Sequence, residues 1–231
     1  MSPPSARKFW CATSAVVEVI FTPSAAKRVR SRPMATAESP TDLPVLDATR
    51  GRLRANVLEH SLKEGDFTLK SGAPSSWFLD TKQTACRPDG IIAVTDAVLE
   101  TFDDVIDEID AIGGLTMGGD PVAFGVAAVA ATRGRRLRSF SVRKESKQGG
   151  ITGRIAGALR PGDRVLVTED TTTRGTSLIE AAEQITAYGA RPMWMTVIVD
   201  RGGTCAAMAD ERGIDYRPLL TAPDLGRKYG T

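Results

Sequence analysis

Residues 164–177 of the chain read RVLVTEDTTTRGTS. The apolar start of this stretch predicts a buried strand, and apolar residues spaced three and four apart from Leu178 to Ile185 predict a helix that ends at Gly189. Backbone N–H groups and the positive end of a helix dipole bind anions at a junction of this kind. The stretch therefore predicts a phosphate-binding turn between strand and helix. Three hydroxyls would add hydrogen-bond donors to it: those of Thr173, Thr176 and Ser177.

Two acids, Glu169 and Asp170, come directly after the predicted strand. Open α/β sheets bind their ligands at this carboxyl edge. The turn lacks the Gly-Lys-Ser/Thr ending of a nucleotide P-loop, and two carboxylates would repel a triphosphate without its metal. An ordinary strand-to-helix turn with polar caps is the alternative interpretation. The coincidence of the acids, the hydroxyls and Gly175 favours a binding function.

Composition is that of an ordinary soluble globular protein. The chain has 231 residues, of which 42% are hydrophobic and 25% charged, enough for one full core. The net charge of +2 indicates no particular partner. Three widely spaced cysteines form no metal motif and favour a reducing compartment, so we expect a cytoplasmic protein. No apolar stretch reaches the length of a membrane span, and the single histidine, His60, excludes a mechanism that needs two.

The first forty residues differ from the rest of the chain. Up to Ala37 they carry several cations and one acid, Glu18, among many Ser, Pro and Ala residues. Three interpretations remain open: a disordered tail, an organelle transit peptide, or an over-extended reading frame that begins correctly at Met34. A transit peptide would move the protein from the cytoplasm to an organelle. We assign residues 1–40 to an extension and residues 41–231 to the folded domain.

The remaining pattern alternates strands and helices, which predicts an α/β fold with a parallel sheet flanked by helices. Two short strands around residues 67–69 and 77–80 predict a small N-terminal subdomain. Asp120 is expected to cap the helix that Pro121 begins. Predicted helices cover about 49–62, 96–109, 121–131 and 178–189, and predicted strands cover 139–142, 164–168, 193–199 and an edge strand at 216–220. The acids within 96–109 are interpreted as a solvated helix face.

A second chemical motif, RKESKQGG at residues 143–150, follows the predicted strand 139–142. Three cations within five residues repel one another unless they meet anions or water. The glycines that follow would let the segment move as a lid. A solvated basic loop is the alternative, but beside a phosphate-binding turn a role in stabilising a polyphosphate is favoured.

Five segments, in order, resemble orotate phosphoribosyltransferase, a type I phosphoribosyltransferase. They are 67–72 with Ser76 and Asp80, then 113–121, 143–147, 169–177 and 199–201. The Lys-Ser-Gly turn at 70–72 and the Val-Asp-Arg end of the last segment are similar to the orotate branch rather than the purine branches. The resemblance implies a type I phosphoribosyltransferase-like parallel sheet with a small N-terminal hood subdomain and a flexible basic lid loop.

The implied reaction joins orotate and 5-phosphoribosyl 1-pyrophosphate (PRPP) to give orotidine 5′-monophosphate and pyrophosphate, in pyrimidine nucleotide synthesis. Mg²⁺ would arrive bound to PRPP, with no direct protein ligand. The enzyme would be a homodimer with shared active sites. The resemblance implies catalytic roles for Lys70, Lys144, Lys147 and Asp170, and orotate contacts for Lys70, Thr173 and Arg201. The implied PRPP-binding residues are Arg143, Lys144, Lys147, Glu169, Asp170, Thr171, Thr172, Thr173, Arg174, Gly175, Thr176 and Ser177.

In the resemblance, Lys144 acts within its own subunit, whereas Arg143 and Lys147 reach the neighbouring site. The chain departs from the family pattern at Gly149, where a histidine is common, and at Thr171, Thr172 and Arg174. Rival interpretations are a phosphoribosyltransferase for another base and a PRPP-sensing regulator. The arginines at 133–138 have no interleaved aromatic residues, so we expect no nucleic-acid partner, and no membrane partner.

Overall fold

The N-terminal part of the domain is a helix followed by a hairpin. The computed structural model describes residues 43–68, 74–147 and 153–230. Helix α1 (Ala48–Asn56) starts where the Asp47 carboxylate accepts a hydrogen bond from the Arg50 N–H, and it continues as one π-helical turn, Val57–Ser61. Strand β1 (Leu62–Thr68) pairs antiparallel with β2 (Pro74–Leu79). The first predicted helix and the two short strands of the hood are confirmed.

Several predictions fall outside the described residues. The N-terminal extension, Lys70 and Gly149 are among them. Lys147 is described by its backbone alone, so the position of its side chain stays a prediction. The segment 148–152, expected to form the moving part of the lid, also lies outside the described ranges.

One predicted helix is misplaced. A short helix, α2 (Lys82–Ala85), is followed by α3 (Pro88–Thr101), whereas the prediction was 96–109. Pro88 starts the helix because its fixed φ and missing N–H suit the first turn. The chain leaves the helix at Phe102, and Ile106–Glu108 form a separate 3-10 turn. The expected acidic face is exposed, at Glu100, Asp103, Asp104, Asp107 and Glu108.

A seven-stranded sheet forms the centre of the domain. Its order is β5-β4-β3-β6-β7-β8, with β9 also paired to β7. Neighbours run parallel except β4 and β5, so the predicted α/β fold with a parallel sheet flanked by helices is confirmed, with one antiparallel strand, β5, at the edge. The elements are β3 (Ala111–Leu115), α4 (Gly119–Thr132), β4 (Arg138–Lys147), β5 (Gly153–Gly157), β6 (Arg164–Thr172), α5 (Thr176–Ala187), β7 (Arg191–Asp200), α6 (Cys205–Asp210), β8 (Asp215–Tyr216) and β9 (Leu220–Thr221).

The predicted strands lie where expected but are longer in the structure. Strand β6 continues to Thr172, so Glu169 and Asp170 belong to its last residues instead of following it. The edge strand predicted at 216–220 is two short strands, β8 and β9, on either side of Pro218, which cannot donate to a ladder. Among the described helices none is both long and apolar enough to cross a bilayer.

The sheet is covered on both faces, which explains the near-continuous apolar runs of its strands. Leu166 and Ile198 are fully buried in one cluster with α1, α3 and α4. Val165 and Val167 point the other way, into a second cluster with α5 and α6. Layers on both faces leave the carboxyl edge of the parallel strands open, and the ends of β3, β6 and β7 meet there.

Candidate active site

Two carboxyl groups are buried at the carboxyl end of β6. The side chain of Asp170 is only 5% exposed, and its Oδ2 accepts hydrogen bonds from Lys82 Nζ at 2.6 Å and from Thr81 Oγ1 at 3.1 Å. Both donors come from the segment directly after β2. No local sequence pattern marks Thr81 and Lys82, because their partner Asp170 lies 89 and 88 residues away respectively.

Glu169 is buried beside Asp170. Its Oε1 accepts a hydrogen bond from the Asp170 N–H at 3.2 Å. Burial raises the pKa of Glu169 to about 8, and the hydrogen bond to the Asp170 side chain and that group's charge add to the effect. The hydrogen bond from the Asp170 N–H and the Lys82 cation oppose it. A large share of Glu169 is therefore protonated near neutral pH in the unliganded protein. The two residues are called the acid pair below.

The raised pKa of Glu169 predicts a pH-dependent stability. Between its unfolded value of 4.5 and about 8, the folded chain holds a proton that the unfolded chain releases, so stability falls as pH rises through this window. Glu169→Gln should remove that loss. At pH 9 we expect the variant to be a few kcal/mol more stable, on the order of 5–10 °C in Tm, and at pH 4 to match the parent.

Thermal unfolding followed by fluorescence at the two pH values measures this difference. Glu59→Gln is the matched control, because the Glu59 side chain is 74% exposed. An equal change in Tm at pH 4 and pH 9 for Glu169→Gln would show that the residue is not titrating in this window.

Glycines allow three segments to meet at the acid pair. A Cβ on Gly118 would lie 1.5 Å from Glu169 Oε1 and 2.6 Å from Asp170 Oδ1. A Cβ on Gly114 would lie 1.8 Å from the Thr168 carbonyl oxygen. The end of β3 and the start of α4 therefore pack on β6 through bare backbone.

Asp120 does not cap its helix as predicted. Gly118 occupies the cap position, and Asp120 is the second residue of α4. Its carboxylate accepts a hydrogen bond from Thr116 Oγ1 at 2.6 Å, which links the two sides of the turn. The turn after β3 is thus held by its own side chains next to the acid pair.

The predicted phosphate turn has the expected geometry. Gly175 adopts φ 84°, in the left-handed region, and α5 begins at the next residue. The Gly175 N–H donates to Thr172 Oγ1 at 2.9 Å, and Thr171 Oγ1 donates to the Val199 carbonyl at 3.1 Å. The hydroxyls of Thr171 and Thr172 therefore support the turn and the sheet. Four other residues of the turn are exposed or partly exposed to solvent: Thr173, Arg174, Thr176 and Ser177.

Arg201 lies on a turn that packs against the phosphate turn. Its N–H donates to the Thr172 carbonyl at 2.8 Å, and Thr204 Oγ1 donates to the Thr173 carbonyl at 3.1 Å. A Cβ on Gly202 would lie 1.6 Å from the Thr173 carbonyl oxygen. The structure thus brings the segments that carry Thr173 and Arg201, the two predicted orotate contacts in the described chain, to one place.

The Arg201 guanidinium stacks on an aromatic ring of the hood. Its Cζ lies 4.0 Å from the centroid of Trp77, a residue of β2 that is almost fully buried. Burial lowers the pKa of Arg201, but the group stays a cation because its ordinary pKa is far above neutrality. Trp77 was predicted only as a strand residue, because an alternating apolar pattern does not reveal which ring meets a cation.

The Asp200 carboxylate stabilises the turn that carries Arg201. Its Oδ1 accepts hydrogen bonds from the N–H groups of Gly202 and Gly203, each at 2.9 Å, and its Oδ2 accepts from the Tyr216 hydroxyl at 3.0 Å. Burial, with the charge of Asp200, raises the pKa of Tyr216 well above its usual range, so the phenol remains a donor. The resemblance included Asp200 without giving it this role.

The basic segment, residues 143–147, is part of strand β4 and not of a loop as predicted. Arg143 is half-buried, and its carbonyl accepts a hydrogen bond from Arg154 Nε at 2.6 Å. Lys144 is exposed. Antiparallel pairing with β5 explains the extension of the strand beyond Val142. The contacts predicted for Arg143, Lys144 and Lys147 stay predictions.

The protein resembles known enzymes over most of its length. No family model matches the chain. The orotate phosphoribosyltransferase of Streptomyces avermitilis is 36% identical over 182 residues, which cover 78% of this chain and 99% of the relative. A crystal structure of the Mycobacterium tuberculosis orotate phosphoribosyltransferase is 31% identical, with a TM-score of 0.69, over 77% of this chain and 99% of that one.

A second structure of the mycobacterial enzyme was solved in complex with PRPP. It is 29% identical to this chain, with a TM-score of 0.66, and the match covers 77% of this chain and 99% of that one. The matching fold, the acid pair before a glycine turn in this chain and the near-complete coverage of these relatives all indicate the same family. The chain belongs to the orotate phosphoribosyltransferase family.

Proposed function

We propose that the protein transfers the phosphoribosyl group of PRPP to orotate in pyrimidine nucleotide synthesis. A bond forms between orotate N1 and ribose C1, the bond from C1 to the pyrophosphate oxygen breaks, and the N1 proton is released, giving orotidine 5′-monophosphate and pyrophosphate. The observation that carries this proposal is the meeting of the acid pair, the phosphate turn and the Arg201 turn at one sheet edge of a family member.

The PRPP half of the site is built on the end of β6. Ribose hydroxyls would donate to the acid pair, and the 5′-phosphate would accept from the N–H groups and hydroxyls of the turn that precedes α5. The mycobacterial relative has been crystallised with PRPP, which supports this ligand. Glu169 would give up its proton when it accepts a hydrogen bond from a ribose hydroxyl, because only the ionised carboxylate is purely a hydrogen-bond acceptor.

The orotate half is built on the Arg201 turn. A guanidinium presents parallel donors to a planar carboxylate, the group that distinguishes orotate from uracil. The Trp77 ring lies against the guanidinium and limits its freedom to rotate. Thr173, whose carbonyl anchors the same turn, would bring its hydroxyl to the base.

Mg²⁺ is the metal we propose for this reaction. The ion would be held mainly by PRPP oxygens and water, because Mg²⁺ prefers oxygen ligands and keeps several waters. The buried carboxyls beside Gly118 fit such an ion through its water shell. The bound ion would neutralise charge on the pyrophosphate.

The chain's own residues would orient the reactants and stabilise charge. By holding the ribose hydroxyls, the acid pair would favour the positive charge that develops at ribose C1, and the basic residues of β4 would stabilise the departing pyrophosphate. Closure of the segment that follows them would exclude water from the reaction. No covalent intermediate with the protein is needed.

Free thiols at Cys86 and Cys205 are consistent with a cytoplasmic location.

Comparing the reaction rates with different bases tests the proposed substrate. Pyrophosphate release is measured with PRPP and Mg²⁺ plus orotate, uracil, adenine or guanine in separate reactions. We expect release with orotate to exceed release with uracil by about 10³- to 10⁵-fold, because a site built for a carboxylate is left unpaired without it. Equal rates with uracil, or a preference for a purine, would overturn the assignment.

We also propose a homodimer in which Lys147 acts in the partner's site. Mixing inactive Lys147→Ala and Asp170→Ala subunits should then restore about one quarter of normal activity, because half of the dimers are hybrids with one whole site each. Differently tagged subunits show by co-purification that hybrids form. Hybrids without activity would place Lys147 in its own subunit's site.

A further inference from the structure

The hood supplies a cation to the acid pair. Lys82 opens α2, three residues past Leu79, the last residue of β2, and its Nζ lies 2.6 Å from Asp170 Oδ2. Thr81, fully buried, donates to the same oxygen. The segment is anchored: the Asp80 N–H donates to the Ser61 carbonyl at 3.0 Å, and the Ser61 and Thr84 hydroxyls are 2.7 Å apart. The position of the Lys82 backbone is therefore set by the hood.

Charge balance explains why a cation is needed at this place. Three carboxyl groups, those of Asp80, Glu169 and Asp170, act on Lys82. Burial lowers the pKa of Lys82, but the hydrogen bond to Asp170 and the charges of Asp170, Glu169 and Asp80 outweigh burial and raise it. Lys82 is thus a cation throughout the neutral range. PRPP is a polyanion, so without compensation it would be repelled by the Asp170 carboxylate and, once Glu169 has given up its proton, by the Glu169 carboxylate as well.

The two oxygens of Asp170 have different surroundings. Oδ2 receives the Lys82 and Thr81 donors, whereas Oδ1 lies on the side of Gly118, 2.6 Å from the place where a Cβ would stand. The Glu169 carboxyl lies on the same side, with its Oε1 1.5 Å from that place, and Gly118 adds no side chain of its own there. A ligand hydroxyl that reached Oδ1 would find an acceptor already fixed in orientation by the two donors on Oδ2.

We propose that Lys82 is a positioning residue for PRPP: it fixes Asp170 so that Oδ1 addresses a ribose hydroxyl, and it offsets the charge of the acid pair. The inference rests on the proposed function. It assigns a role in the site to a hood residue that no sequence motif marked. Because the Asp170 side chain is only 5% exposed, the ion pair with Lys82 also stabilises the fold, so the test needs readouts other than stability.

The test compares Lys82→Gln, Lys82→Arg and a control, Lys63→Gln, which removes the same charge from an exposed position on β1. PRPP affinity with Mg²⁺ is measured by calorimetry, together with KM for both substrates. Lys82→Gln should weaken PRPP binding about 10- to 100-fold, the value of a hydrogen bond between charged groups, while KM for orotate stays within about twofold. Lys82→Arg should recover most of the loss, and Lys63→Gln should bind normally.

A pH profile separates positioning from simple folding damage. Without the Lys82 cation the pKa of Glu169 rises further, so the acid limb of PRPP binding should move to higher pH in Lys82→Gln. The variant should melt below the parent, because the buried Asp170 carboxylate loses its cation, so binding is measured at a temperature where both proteins are folded. Normal PRPP binding by Lys82→Gln, while the parent protein binds PRPP, overturns this inference alone. A parent protein that does not bind PRPP overturns both the inference and the proposed function.

Discussion

Gly118→Ala should reduce kcat/KM for PRPP by about 10²-fold or more, because misplacing reacting groups by about 1 Å has an effect of that size. The added Cβ would stand 1.5 Å from Glu169 Oε1 and 2.6 Å from both Glu169 Cδ and Asp170 Oδ1. The two carboxyl groups must turn away from the positions in which they would meet the ribose. Gly118 has φ −70°, which any residue adopts, so the effect is steric and not conformational.

The matched control is Gly51→Ala in α1, where an added Cβ meets no atom within 4 Å. This change should leave activity normal and raise stability by about 0.5–1 kcal/mol, the usual preference for Ala over Gly within a helix. Steady-state kinetics with PRPP varied, and thermal unfolding of both variants, make the comparison. Normal PRPP kinetics in Gly118→Ala would mean that the acid pair does not hold PRPP in the arrangement seen here.

Arg201→Ala should abolish most orotate recognition while PRPP still binds. Removing one member of a buried charge pair costs about 2–5 kcal/mol, which corresponds to roughly a 30- to 5000-fold loss in kcat/KM for orotate. Arg201→Lys should be intermediate, because it keeps the charge and loses the two parallel donors. The measurements are orotate kinetics and PRPP calorimetry on each variant.

Arg212→Ala is the control for Arg201→Ala. Arg212 lies just beyond α6, where its guanidinium contacts only the Met208 carbonyl and Glu211 among the described residues. Its removal should change neither substrate. A loss of PRPP affinity in Arg201→Ala, with orotate affinity unchanged, would move Arg201 from the orotate half of the site to the PRPP half.

Local patterns predicted the parts of the site that lie on one continuous segment. Strand β6, the acid pair, Gly175 and α5 follow one another in sequence, so apolar spacing and turn chemistry were enough to place them. The same holds for the hood hairpin and for β7. These elements depend on residues that are close in sequence, so the spacing of apolar and turn residues is enough to predict them.

The misplaced helix shows where periodicity fails. Phe102, Ile106 and Ile109 are all buried and continue the spacing of α3, yet the chain around them is turn and 3-10 helix. Burial sets the apolar pattern, and a turn can bury residues at helical spacing as well as a helix can. The stronger signal was Pro88, which begins α3 eight residues before the predicted start.

Contacts between distant segments could not be predicted from the sequence. Lys82 with Asp170, and Trp77 with Arg201, join the hood to the sheet edge across 88 and 124 positions respectively. Each pair depends on how the hood rests on the sheet. The pairing of β4 with β5 is likewise non-local, and it makes a strand of a basic segment that its composition presented as a loop.

Orotate consumption by the purified protein, followed at the orotate absorbance band, tests the central claim most directly. We expect loss of orotate only when PRPP and Mg²⁺ are both present, with one pyrophosphate released for each orotate consumed. Persistence of orotate with both present, in protein that is folded and binds PRPP, would contradict the proposed transfer.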